Sequence, residues 1–107
     1  ASYRFIRRLG PVVHDKAATA LAARAAERVF GAGRVRHAFP PSTAGDDFSV
    51  FSARVPGAYG WIGNGPARAG ALHHNGRYDF NDAAIEPGAR YWLAVVEEAL
   101  KPAGIDD

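Results

Sequence analysis

"AIEPGARYWLAVVEEAL", residues 84–100, is the most regular stretch of the chain and the one on which its architecture turns. Pro87 stands where a first-turn proline belongs, because the first N–H groups of a helix have no internal partner to lose. From there Ala89, Trp92, Leu93, Val96, Ala99 and Leu100 recur at helical spacing, opposite Arg90, Glu97, Glu98 and Lys101. The pattern predicts a long amphipathic helix that lays its apolar stripe on a neighbour and is closed by Lys101 and Pro102.

Two more helices are predicted upstream. "KAATALAARAAERVF", residues 16–30, follows Asp15 as N-cap and places Ala18, Leu21, Ala22, Ala25 and Val29 on one face, with Gly31 as the stop signal. So narrow an alanine face suits close packing against a sheet. "GDDFSVFSARV", residues 45–55, reads as a short helix with Asp46 and Asp47 at its positive end and Phe48, Phe51 and Val55 on one side, ended by Pro56 and Gly57.

Three segments between the helices read as strands. "SYRFI" (2–6) alternates apolar and polar residues, "RVRHAF" (34–39) puts Val35, His37 and Phe39 on one side, and "AYGWIG" (58–63) is short, aromatic and bounded by glycine. "AYGWIG" is expected to be buried and to lead into the loop "NGPARAG". The order strand, helix, strand, short helix, strand, long helix argues for a layered α/β fold, a sheet with packed helices.

Composition narrows the possibilities. The 107 residues, 48% hydrophobic, suffice for one compact domain and not for two cores. With no cysteine there is no disulfide, thiolate nucleophile or cysteine-ligated zinc. No stretch approaches the roughly 20 apolar residues of a membrane span, so no membrane partner is expected. Eight of the 13 basic residues lie in residues 1–37, but Arg24 and Arg28 sit one helical turn apart and Arg34 and Arg36 alternate on a strand. They form no continuous stripe and the net charge is only +2, so nucleic acid is not expected as a partner either. The chain opens at Ala1 and holds no methionine, which reads as a piece of something longer.

The densest chemistry lies in "LHHNGRYDFND", residues 72–82. On local grounds it is a surface hairpin with Asn75 and Gly76 at its turn and Asp79, Asn81 or Asp82 capping the helical turn that follows. Adjacent histidines on an extended segment point to opposite sides, so at most one of His73 and His74 would face a given site. His14 precedes a helix, and His37 reads as a half-buried strand residue.

Taken in succession, "GDDFSVFSARVPGAYGWIGNG", "HNGRYDFND" and "AIEPGARYWLAVVEEAL" resemble the C-terminal part of the metal-dependent amidohydrolases that include hippurate hydrolases, aminoacylases and auxin-conjugate hydrolases. In that family the pattern runs Gly-Glu-Asp-Phe, a short helix ending Val-Pro-Gly, an apolar strand ending in glycine, His-Asn-Pro-x-Tyr-Asp-Phe-Asn-Asp, and a helix opening Leu-Pro-x-Gly-Ala. The similarity covers about residues 11–101.

The resemblance implies that residues 1–10 end a lid-domain strand and its linker, and that residues 11–107 form the C-terminal part of a dinuclear-metal, peptidase-like catalytic domain. It places the family's C-terminal metal-ligand histidine on His74, eight residues before Asp82. A neutral imidazole suits zinc, manganese or a similar divalent ion. His73 then stands where the family usually has an apolar residue, Gly76 replaces a proline, and Asp46 stands where glutamate is usual. Asp46 and Asp47 are divided between complementing their own helix and facing the site.

The family's other ligands, and the glutamate that acts as general base, have no counterpart here, and Glu97 and Glu98 are assigned to the polar face of the last helix. The expectation is therefore a C-terminal fragment of a cytoplasmic amidohydrolase cleaving N-acyl amino acids or related small amides, inactive alone. It supplies at most one ligand to two divalent metal ions and no catalytic residue. Its partners are the substrate, the N-terminal part of the same enzyme and, for a homo-oligomer, a further copy. The alternative is a non-catalytic α/β binding or oligomerisation module that has kept the scaffold and lost the site. "WIGNG" either lines the substrate cleft or simply ends its strand.

Overall fold

The computed structural model describes residues 1–6, 8–65 and 72–101. Its elements are helix α1 (Lys16–Phe30), a 3-10 turn (Ala32–Arg34), the short helix α2 (Phe48–Ser52), a second 3-10 turn (Asp82–Ala84) and helix α3 (Ile85–Ala99).

The ends of α1 follow from its sequence. The Asp15 carboxylate accepts from the Ala18 N–H at 2.8 Å, and Gly31, at φ 83°, donates its N–H to Glu27 O at 2.8 Å. The expected face is the inward one: Ala18, Leu21, Ala22 and Val29 are partly covered and Ala25 is fully buried. That face packs on α3, not on a sheet. Among the described residues there is no strand, so the layered sheet expected from residues 2–6, 34–39 and 58–63 is not formed. The physical reason is that alternation fits a chain for one face of a sheet, whereas a strand exists only where a second backbone completes its ladder. Phe39, Trp61 and Ile62, read as strand residues, remain exposed. Residues 66–70 of the predicted loop "NGPARAG" and the predicted stop at Pro102 lie outside the described residues.

The face of α3 is also corrected. The helix turns Pro87, Gly88, Tyr91, Ala94, Val95 and Glu98 inward, while Trp92, Leu93, Val96 and Leu100 are each more than half exposed. Helical periodicity draws the eye to the largest side chains, but close approach to an alanine face favours the small ones, and Ala94 is the buried residue of α3 as Ala25 is of α1. Together the two apolar arcs leave only a narrow polar strip of Glu86, Arg90 and Glu97. A helix apolar almost all round is one that packs on two sides.

Glu98, read as a polar-face residue, seals the packed side. Its side chain is 7% exposed and accepts from Lys101 Nζ at 3.1 Å, Arg24 Nε at 3.4 Å and Arg28 Nη1 at 3.4 Å, while Arg28 also pairs with Glu97. A carboxylate this covered is tolerable only with charged partners. The Lys101 hydrogen bond first, then the Arg24 hydrogen bond and the charges of Lys101 and Arg28, hold its pKa below the ordinary glutamate value against the opposing effect of burial. On the same C-terminal half of α1, His37 is exposed and bonded to Glu27 at 2.9 Å, not half-buried in a strand.

Helix α2 is shorter than predicted. Phe51 and Val55 are exposed, and the buried residue is Ser49, whose hydroxyl has no hydrogen-bond partner among the described residues. Phe48 closes over Gly57, where a Cβ would meet its ring at 3.2 Å, and Gly57 O accepts from the Asp15 N–H at 2.9 Å, tying α2 to the start of α1.

Among the described residues only Ala25, Ala94 and Ser49 are buried, which does not make a closed core. The radius of gyration is 17.1 Å, against about 13 Å for a compact domain of this length. The accessible surface is 9528 Å², against roughly 5,800 Å² for a folded monomer of this mass.

Two outcomes follow. Because the folded pKa of Glu98 is depressed, its contribution is fully present above about pH 4.3 and is lost as pH falls through the lowered value. The protection factors of the α1 and α3 amides, corrected for the intrinsic pH dependence of exchange, should therefore fall in acid, and Glu98→Gln should reduce that fall while weakening the helix pair at neutral pH. Ser49→Ala, which deletes a buried hydroxyl without a partner, should be neutral or stabilising by up to about 1 kcal/mol in urea unfolding; a loss of more than that would mean that the hydroxyl is bonded.

Candidate metal-ligand turn

His73 and His74 lie in a turn, not on an extended segment. Next to them the Tyr78 N–H donates to Asn75 O and the Arg77 N–H to Asn75 Oδ1, both at 2.9 Å, so Asn75 opens a β-turn through its backbone and its side chain together. The turn is where the hairpin reading put it, but among the described residues no strand flanks it. Of the three capping candidates Asn81 does the capping, its Oδ1 accepting from the Ala83 N–H at 3.1 Å.

His74 is the one non-glycine residue at positive φ among those described, at 62°. The left-handed backbone costs an L-residue about 1 kcal/mol. It also undoes the expected divergence: the His73 and His74 ring centroids stand 5.1 Å apart at 64°, edge to face. His73 in turn meets Trp61 at 5.7 Å, Trp61 meets Tyr59 at 5.8 Å, and Tyr59 meets Phe48 at 5.5 Å. The result is a row of rings running from α2 to the histidine turn.

Asp46 anchors the start of that row. Its Oδ1 accepts from the Phe48 N–H at 2.8 Å and its Oδ2 from the Tyr59 hydroxyl at 3.0 Å. The hydrogen bond to Asp46, then burial, then the charges of Asp46 and Asp47 push the Tyr59 pKa up, which keeps the hydroxyl a donor. Asp46 thus serves its own helix and the ring row at once. Asp47 is exposed and makes no side-chain cap.

The sequence reading missed Asn64, which staples the "WIGNG" segment to "DFND". Asn64 Oδ1 accepts from the Asn81 N–H at 2.8 Å, Asn64 Nδ2 donates to Asp79 O at 3.1 Å, and Asn64 O accepts from Asn81 Nδ2 at 3.2 Å. Beneath the staple an apolar groove of about 350 Å³ opens between Ile62, Tyr78, Phe80 and the Ile85 and Trp92 side of α3. Tyr59 and Trp61 were legible in principle, since two aromatics two residues apart point the same way. The pairing of Asn64 with Asn81, 17 residues on, left no local signal.

As a metal ligand His74 is suited by chemistry: its ring is exposed, and among the described residues no hydrogen bond engages either nitrogen. It is suited only as one donor, because the described residues contain no group of three or more His, Cys, Asp or Glu side chains placed to hold an ion, and even a simple zinc site takes about three protein ligands.

A comparison with known families gives the wider group. The sequence model of peptidase family M20/M25/M40 matches residues 1–98, and the chain belongs to that family, one of metal-dependent hydrolases. The match reaches back through the first ten residues, beyond the motifs read above. No solved structure matches the chain. None of the described helices is long and apolar enough to cross a membrane.

Asn64→Ala should loosen the turn from its neighbour at a cost of about 1 kcal/mol, because it removes the two exposed side-chain hydrogen bonds and leaves the one from Asn81 Nδ2 to the Asn64 backbone carbonyl. The check is faster exchange at the Asn81 and Ala83 amides with α1 unaffected.

Proposed function

We propose that this chain is the C-terminal part of a cytoplasmic metal-dependent amidohydrolase that cleaves the amide bond of N-acyl amino acids of the hippurate type or related small amides. On this reading residues 1–10 finish a lid-domain strand and linker, and residues 11–107 belong to the catalytic domain. The observation that carries it is the presentation of His74: an exposed imidazole on a left-handed turn, at the position where the family motif has its C-terminal ligand.

Two divalent ions, zinc, manganese or similar, supply electrophilic assistance to amide hydrolysis when bound. What this chain gives is narrower. His74 offers one neutral nitrogen donor, the Asn75 turn and the Asn64 staple fix where it stands, and Asp46 acts behind the site through Tyr59. The general-base glutamate and the remaining ligands come from the N-terminal part of the same enzyme. That part would also cover the outer arc of α3, where Trp92, Leu93, Val96 and Leu100 are exposed. The exposed arc equally suits a second copy, which keeps a non-catalytic oligomerisation module as the rival.

The intact mass of the native protein containing "LHHNGRYDFND" separates the two, since the amidohydrolase reading expects a mass several times 11.4 kDa and the module reading a mass near it. In the complete protein, His74→Ala should lower kcat/KM for an N-acyl amino acid by at least about a hundredfold, since even partners of metal ligands cost about 10–100-fold. An unchanged kcat/KM would sink the assignment.

A further inference from the structure

We infer that His73 is a positioning residue for His74, holding the plane of the ligand imidazole by ring contact; the inference rests on the reading of His74 as a metal ligand. A ligand histidine is useful only when its donor nitrogen is aimed, and in most sites a hydrogen bond to the other nitrogen does the aiming. Among the described residues no such bond reaches His74. The aromatic ring that meets it is that of His73, edge to face at 5.1 Å.

Three features make this contact more than the meeting of two surface side chains. The positive φ of His74 brings the two rings to one side of the turn, where extended backbone would separate them. His73 is itself held on its other side by Trp61 at 5.7 Å and 46°. Trp61 is backed by Tyr59, whose hydroxyl is fastened to the Asp46 carboxylate that caps α2. The orientation of the His74 ring is thereby referred to a helix terminus through Tyr59, Trp61 and His73. An isolated surface histidine would have no such backing.

The roles of the two histidines then differ in kind. His74 needs its nitrogen, whereas His73 needs only an aromatic ring, and the test turns on that difference. In the complete protein, zinc affinity is measured by equilibrium dialysis against a competing chelator for His73→Ala, His73→Leu, His73→Phe and His74→Ala. The expectation is that His73→Ala and His73→Leu each weaken zinc by about tenfold, the scale of losing an outer partner of a ligand, while His73→Phe restores it to within about threefold. Leucine and phenylalanine both fill the volume, so misfolding of the alanine variant does not decide the matter.

Unchanged affinity in His73→Leu overturns the inference. So does a His73→Phe variant as weak as His73→Leu, which would make the His73 nitrogen a ligand in its own right. A His74→Ala variant with undiminished zinc affinity fails the ligand reading separately. The positioning contact is read independently by NMR: the ring protons of His74 should shift in His73→Leu and in Trp61→Leu and stay close to wild type in His73→Phe, and a His74 ring indifferent to all three overturns it.

Discussion

The distance between α1 and α3 is set by alanine. Ala25 and Ala94 are the buried residues of the two helices, and only side chains that small let two backbones come close enough for Arg24 and Arg28 on one helix to reach Glu98 on the other. The ion pairs add little where they are exposed, but at Glu98 they offset the cost of covering a carboxylate. Everything else hangs from this pair. Asp15, at the head of α1, bonds Gly57 and so fixes α2, and the start of α3 carries the turn that Asn81 caps.

From that frame the histidine turn is approached twice. One route runs along the chain from α3 through Asn81 and Asp79, which Asn64 clasps. The other runs across space from α2 through the rings of Tyr59, Trp61 and His73. A turn held from two helices presents a side chain more reproducibly than a free loop, and reproducible placement within a fraction of an ångström is what a coordinating group requires.

The sequence was most legible where the physics is local. The Asp15 cap, the Gly31 stop, the inward face of α1, the Asn75 turn and the first-turn Pro87 depend on residues within one or two turns of each other, and each stands as read. Legibility failed where the deciding partner is distant. The segments at 34–39 and 58–63 have the composition of strands without a neighbouring backbone to pair with. The outer stripe of α3 was chosen for its bulk, while the inner one was selected by the alanines of a helix some seventy positions earlier. His73 and His74 were read for extended backbone, and one positive φ reversed their relation. The family motif singled out His74 as a candidate without showing how it is held.

The apolar girth of α3 has a consequence for handling the chain. Trp92, Leu93, Val96 and Leu100 make a greasy strip bordered by the narrow charged row of Glu86, Arg90 and Glu97, and a net charge of +2 provides scant colloidal repulsion. In solution by itself the polypeptide would cling to other apolar surfaces and precipitate as its concentration rises. Sulfate would hasten this by being excluded from the strip, whereas added Asp or Glu at Trp92 or Val96 would keep it dispersed.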